Sequence, residues 1–355
     1  MTGRGIDQIL LHPSEPAIHE HYVHTALAYV QLAEEKNGPI PRSVDPAYIW
    51  GDALPELDRV RPATRVVNLE TTVTRSNDWL AKGINYRMNP SNIACLTAAG
   101  IDCCALGNNH VLDWGASGLM ETLDTLHGAG LKTAGAGKDR LEAEAPAVLP
   151  IADTHRLLVF SLGAESSGVP YSWAATERAP GVAFLADLSR HTVDRIARNI
   201  QSVRQAGDLV IASVHWGSNW GYAVSPGEVQ FAHALIEHAG VDVFHGHSSH
   251  HPKGLEVFRG KLIIYGCGDF INDYEGIAGY ESFRGDLACM YFPTLDAHTG
   301  QLHRLELVPL QAKRFRLERA AETDARWLCS TLDRESRRFA TSARLQTSQR
   351  IEFEW

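Results

Sequence analysis

The segment "VDVFHGHSSHH" at 241–251 closes an apolar run with His245, His247, His250 and His251, in a chain that holds 17 histidines in all. Other polar groups stand at the same kind of address, just past an apolar run of strand length: Glu70 after "RVVNL", the "GNNH" of 107–110 after "IDCCAL", and His215 after "IASV". Taken singly, each has an ordinary structural reading. Glu70 can cap a turn, Asn108 and Asn109 are good turn formers, and His215 beside Trp216 can be a satisfied core histidine. Taken together they place a carboxylate, amide oxygens and several imidazoles on short loops at strand ends. A mixed nitrogen and oxygen set without thiolate suits divalent manganese, iron or zinc, and suits calcium or magnesium less well. One or two such ions per chain are expected.

The elements that must position these groups follow from hydrophobic period. Apolar runs of strand length alternate with amphipathic segments of helix length through 65–245, which predicts a layered α/β fold with a largely parallel sheet. The predicted strands are 65–69, 101–106, 131–134, 156–162, 208–214 and 241–244. Between them, "SNIACLTAAG" offers Ser91 as an N-cap and Gly100 as a stop. "HTVDRIARNIQSVRQAG" places Ile196, Ile200 and Val203 on one face before Gly207. Ligands of open α/β sheets bind in the crevice outside the carboxyl ends of the strands. That crevice is where the polar groups gather.

After 250 the pattern turns antiparallel. "LEVFRGKLIIYG" reads as two strands around Arg259-Gly260, "DLACMYF" and "LHRLELV" as two more, and a final helix is expected near 321–341. No internal repeat, low-complexity tract or long linker divides the chain. The expected organisation is one domain over 1–320, with 321–355 as a helical extension packed on it.

The 355 residues can bury a substantial core, and 44% hydrophobic with 21% charged residues excludes a disordered or fibrous chain. A net charge of −9 gives no footprint for nucleic acid, and the local run "KRFRLER" at 313–319 reads as a solvated face. No apolar stretch is long enough to span a membrane and "MTGRGIDQ" lacks a signal-peptide core, so a cytoplasmic protein is expected. The six cysteines are scattered without a C-x-x-C pair, which suits buried thiols in a reducing compartment. "GAGLKTAGAGK" lacks the spacing of a phosphate loop. "GVPYSWA" at 168–174 is expected on a long loop, either lining a substrate cleft or packing as a lid.

"NLETTVT" (68–74), "GNNHVLDWG" (107–115), "VHWGSNW" (214–220) and "HGHSSHHPKGLE" running on to "IIYGCGDF" (245–270) resemble, in order and spacing, the CapA or poly-γ-glutamate synthesis family. The resemblance extends from about residue 1 to about 310. It implies the calcineurin-like metallophosphoesterase fold with a two-metal site at the sheet edge. On this resemblance Glu70, Asn109, His215, His247 and His250 are metal ligands, with the choice among His247, His250 and His251 open. His110 is the acid or base, Asp113 orients it, and Arg4 and Arg87 hold anionic oxygens of the substrate. Members of the family begin with a strand ending in Gly-Asp-Val-Met, whose aspartate is a ligand. Here "MTGRGIDQ" starts at the methionine of that motif, so that strand and its aspartate are expected to be missing from the chain as given.

The implied activity is metal-dependent hydrolysis of a phosphoester or of a carboxylate-bearing peptide or polymer, with capsule-synthesis proteins as partners. Two alternatives stand beside it. The same site could epimerise a peptide α-carbon in natural-product maturation, or the chain could be a non-catalytic capsule-assembly subunit.

Overall fold

The computed structural model describes residues 1–152 and 155–355. Strands β1 (Val66–Asn68), β2 (Cys103–Ala105) and β3 (Lys132–Ala134) form a parallel sheet in that order. β1 lies at its edge with all three residues half-buried, whereas β2 is fully buried. A larger sheet contains β4 (Ala147–Ala152), β5 (His155–Ala164), β6 (Phe184–Leu185), β7 (Leu209–His215), β8 (Val243–His247), β9 (Leu255–Phe258) and β10 (Lys261–Ile264). Its order is β6-β5-β7-β8-β10-β9, with β4 antiparallel on β5. Strands β5, β7, β8 and β10 run parallel, so their carboxyl ends share one edge. The β9–β10 hairpin turns at Arg259-Gly260, both left-handed (φ 50° and 75°), as a two-residue turn of this kind requires.

The period of two decides what each face meets. Even-numbered Phe160, Leu162, Val214 and Phe244 share an apolar cluster with Ile196 and Ile200 of helix α1 (Arg190–Val203) and Phe231 of α2 (Pro226–Ala234). Odd-numbered Leu157, Val159 and Leu209 belong instead to a cluster with Cys103 and Ala134 of the smaller sheet. The result is a layered α/β architecture of sheets flanked by helices. The odd face continues toward the carboxyl edge as Ser213, His215, His245 and His247, all polar and all between layers. Both faces of the central strands are therefore covered, as parallel sheets require.

Helix α1 is capped by Ser189, whose side chain accepts from Thr192 N. Its Ile196 and Ile200 are buried as the pattern predicts, but Val203 in the last turn is 39% exposed. Ser91 is not a cap. Asn89 accepts from Ser91 N and opens a turn at Pro90–Asn92, because Pro90 already fixes the first helical position. Gly100, at φ 59°, ends that segment as expected.

A third, antiparallel sheet holds β11 (Leu287–Leu295), β12 (Leu302–Lys313), β13 (Arg316–Arg319), β14 (Ser342–Leu345) and β15 (Ile351–Glu354). The C-terminal segment is helical over α3 (Glu322–Ser336) and a 3-10 turn at Arg337–Phe339; β14 and β15 follow, and β15 pairs with β12 through Ile351 and Leu307. Alternating apolar residues such as Ile351 and Phe353 fit a half-buried strand rather than a helix, and both are buried with Leu328 and Leu332 of α3. The basic run at 313–319 is likewise mostly strand. Phe315 and Leu317 are buried within it, so it is not simply a solvated face. All six cysteines are free, and five are buried. Among the described residues no helix is long and apolar enough to cross a membrane.

Gly246 sits between His245 and His247 where β8 is most tightly enclosed. A Cβ there would lie 2.6 Å from both Ile264 O and Tyr265 O and 2.9 Å from Trp216 Nε1. Gly246→Ala is therefore expected to cost roughly 1–3 kcal/mol, the usual range for overpacking, seen as a lower urea midpoint. An unchanged midpoint would show that β8 can shift without penalty.

Candidate functional site

Register places the first two imidazoles. β7 and β8 pair in parallel with His215 opposite His247, and the two Nδ1 atoms lie 2.8 Å apart. One of these nitrogens donates to the other. Ser213 Oγ bridges His247 Nε2 (2.9 Å) and His245 Nδ1 (3.0 Å), so both ring nitrogens of His247 have partners. His215 Nε2 is buried and has none, and Glu70 Oε1 stands 3.9 Å from it. Burial, assisted by the nearby His250 and Lys82, pushes the His215 imidazole down to about 3. It is thus neutral near pH 7, the form that ligates metals.

The loop after β2 is held by its own amides. Asn108 Oδ1 accepts from His110 N, while its Nδ2 donates to Leu69 O and to Asn68 Oδ1 (3.0 Å each). Asn68 Nδ2 in turn donates to Glu70 Oε2 at 3.0 Å, so Asn108 orients the Glu70 carboxylate through one intermediary. Asn109 Oδ1 is buried without a hydrogen-bond partner. A buried amide oxygen in that state is uncommon and calls for an explanation. Gly168, at φ 82°, allows the 165–168 turn to approach Asn109, and Ser167 Oγ in that turn donates to His215 O.

His110 Nδ1 lies 2.7 Å from Asp113 Oδ2, the pairing that the family resemblance implied. Asp113 is fully buried, and the same oxygen accepts from Tyr86 N (2.7 Å). Its other oxygen accepts from Lys82 Nζ at 2.7 Å. Burial lowers the affinity of His110 for a proton, and Asp113 restores part of it.

The histidine cluster separates by partner. His250 Nδ1 is 3.1 Å from each oxygen of Asp269, leaving Nε2 for another group. Burial opposes charge on His250, but the Asp269 carboxylate outweighs it and raises the imidazole above its ordinary range. A carboxylate on the far nitrogen is the usual partner of a metal-binding histidine. His251 is fully buried; its Nε2 accepts from Gly221 N and its Nδ1 lies 3.1 Å from Pro252 O. His251 therefore fastens the 217–223 loop and has no free nitrogen. Of the three, His250 alone keeps a free ring nitrogen; His247 is held through side-chain partners and His251 through backbone ones. Cys267, on the same loop as Asp269, is pushed by burial up to about 12 and offers no thiolate.

The two arginines expected to hold anions are placed elsewhere. Arg4 Nε and Nη2 donate to Asp273 (2.8 and 2.7 Å), Nη1 donates to Glu20 (2.8 Å), and the guanidinium lies 3.5 Å from the Tyr29 ring centroid. With its side chain 1% exposed, it ties the N-terminal segment to the 267–275 loop instead of facing a ligand. Arg87 donates to Ser76 O, Asn77 Oδ1 and Glu15 O and lies over Trp114 at 4.0 Å. Carboxylates, carbonyls and aromatic faces already engage both guanidiniums within the protein. Asp269 and Lys82 went unassigned at the sequence level. Asp269 had a signal, a carboxylate five residues past β10 in "GCGDF"; Lys82 lies in the irregular stretch between the short strands Thr72–Val73 and Arg87–Met88, where no local pattern marks it.

Glu70, Asn109 and His215 thus present acceptors at one carboxyl edge, two of them orphaned. Among the described residues no three His, Cys, Asp or Glu side chains converge as a closed ligand set. The donor chemistry nevertheless fits a divalent ion, because the Asn109 amide oxygen and the neutral His215 imidazole nitrogen stay buried without partners, the latter beside the Glu70 carboxylate.

A layered α/β protein with imidazole, amide and carboxylate groups at the ends of parallel strands is the class that fold and site define. Residues 1–274 match the family model described as bacterial capsule synthesis protein PGA_cap, and the chain belongs to that family. A protein of Mycobacterium tuberculosis (strain CDC 1551 / Oshkosh), named probable polyglutamine synthesis accessory protein, is 48% identical over 341 residues, covering 96% of this chain and 90% of its own. The capsule biosynthesis protein CapA of Bacillus anthracis is 25% identical over 192 residues, 54% of this chain and 45% of its own. A solved structure described as a novel phosphatase from Mycoplasma pneumoniae covers 62% of this chain and 87% of its own at 14% identity, with a TM-score of 0.34.

The placement of Arg4 yields a test. Arg4→Met leaves Asp273 and Glu20 buried without their cation, which typically costs about 3–5 kcal/mol. Urea unfolding should register that loss. Unchanged stability with weakened binding of an anionic ligand would return Arg4 to the substrate.

Proposed function

We propose that this chain is a metal-dependent enzyme of capsule or polyglutamate-type polymer synthesis, acting on a phosphoester or on a carboxylate-bearing peptide or polymer. The observation that carries the reading is the pair of buried, unpartnered acceptors, Asn109 Oδ1 and His215 Nε2, with Glu70 beside the latter. Glu70, Asn109, His215, His247 and His250 would hold one or two divalent ions, with manganese, iron or zinc favoured by the ligand set. His247 would first have to exchange a hydrogen bond to His215 or Ser213 for the ion. When bound, such an ion supplies Lewis acidity that polarises a phosphoryl or carboxyl oxygen.

The chain's own residues supply the rest. Asp113 holds His110 through Nδ1, which leaves Nε2 as the nitrogen able to move a proton at the reacting group. Asp269 orients His250, and the Asn108–Asn68 chain orients Glu70. A second reading, a non-catalytic assembly subunit, is favoured by the word accessory in the name of the mycobacterial relative.

Two measurements on the full chain decide between them. After exposure to manganese or zinc, elemental analysis should find bound metal in the wild type and little in a His215→Ala, His247→Ala double variant; equal contents contradict the site. With bis(p-nitrophenyl) phosphate as probe, His110→Ala should keep its metal and lose turnover by about 10²–10⁴-fold, the usual contribution of general acid–base catalysis. Metal loss in step with activity would make His110 a ligand, and a metal-loaded wild type without turnover would favour the assembly subunit.

A further inference from the structure

The carboxylates Glu70, Asp113 and Asp269 all belong to the site, and the two arginines expected to balance an anionic substrate are occupied elsewhere. The cation that does contact the proton-transfer pair is Lys82. Its Nζ donates to Asp113 Oδ1 at 2.7 Å and to Asn109 O, and lies 3.4 Å from His110 Nδ1. His110 Nδ1 is already engaged by Asp113 Oδ2, so two of the three ammonium N–H groups have acceptors and one does not. The side chain is 24% exposed, so the ammonium is not sealed within the protein as Arg4 is.

The geometry around Lys82 is built. Leu80 N and Asn85 Nδ2 both donate to Asp113 O, so the loop that carries Lys82 is fastened to Asp113 on either side of it. The ammonium also stands 5.1 Å from the ring centroid of Trp173. Trp173 belongs to the "GVPYSWA" segment, which thereby forms one wall beside the cation. A cation over an aromatic face and hydrogen-bonded to a buried carboxylate is held in a fixed position. Its charge reaches both His110 and His215.

We propose that Lys82, backed by Trp173, is the recognition point for the anionic group of the substrate, a carboxylate or phosphate oxygen bound through the free N–H. This assigns to Lys82 the role that the sequence assigned to Arg4 and Arg87. It rests on the reading of an anionic substrate given above. Two sources share the chemistry: the side carboxylates of a γ-linked glutamate chain and the oxygens of a phosphoester.

The test is calorimetric titration of manganese-exposed full chain with three probes: a γ-linked glutamate pentamer, its uncharged amide counterpart, and inorganic phosphate. Lys82→Gln should weaken at least one of the anions by about tenfold, the scale of one charge-assisted hydrogen bond, and leave the uncharged counterpart unchanged. Lys82→Arg should restore most of the affinity. Loss with the pentamer alone identifies the carboxylate source, and loss with phosphate alone identifies the phosphoester; either supports the assignment. Equal losses for charged and uncharged pentamer show a merely structural lysine and overturn it. So does a wild type that binds neither anion, or a Lys82→Gln variant that binds both as tightly as the wild type. Metal content is measured on the same samples. A wild type without metal refutes the metal site, while the comparison of Lys82 variants still reads the anion assignment.

Discussion

The register between β7 and β8 is the constraint on which the site depends. Both strands are enclosed on two faces, with even-numbered apolar residues toward the helices; on the other face Leu209 of β7 packs with the smaller sheet and Val243 of β8 with the antiparallel sheet. In that register His215 stands opposite His247 and Ser213 opposite His245. Side chains alternate with period two, so a slip by one residue would turn every imidazole of the slipped strand toward the helices. The bulk of Val214 and Phe244 on the helical face and the close fit around Gly246 prevent that slip. Glu70, which follows β1 of the neighbouring parallel sheet, stands 3.9 Å from His215 Nε2, and the Asn108 chain orients it.

Charge is managed by pairing at each step outward from these strands. Asp269 holds His250, Asp113 holds His110 and Lys82, and Asp273 with Glu20 holds Arg4. Buried ionic groups are costly when a partner is removed, so these contacts fix positions more than they add stability. The effect is to leave few polar atoms without a partner. Asn109 Oδ1 and His215 Nε2 are among the exceptions, and both are at the carboxyl edge.

Local pattern made much of this legible in the sequence. The central strands, the hairpin at Arg259-Gly260 and the polar groups at strand ends follow from period, turn chemistry and position. The pairing of His110 with Asp113 was what the family resemblance implied, on the motif "GNNHVLDWG". Contacts between distant segments were not. Arg4 meets Asp273 across 269 positions, so no local pattern could show that its charge is already neutralised. Lys82 was hidden for the same reason, since its relation to Asp113 exists only once an irregular loop has folded back. His251 was left open beside His247 and His250, and no local pattern shows that Gly221 N engages its Nε2. At 342–354 the alternation of Ile351 and Phe353 was present but overshadowed by the preceding helix.

The central claim is that the orphaned acceptors at the carboxyl edge are the ligands of a divalent ion. An anomalous difference map collected at the zinc absorption edge, from crystals grown with zinc, addresses it most directly. The account predicts a peak about 2.0–2.2 Å from His215 Nε2 and within ligand distance of Asn109 Oδ1 and a Glu70 oxygen. A map with no peak at that edge, or with zinc only on surface histidines, would contradict it.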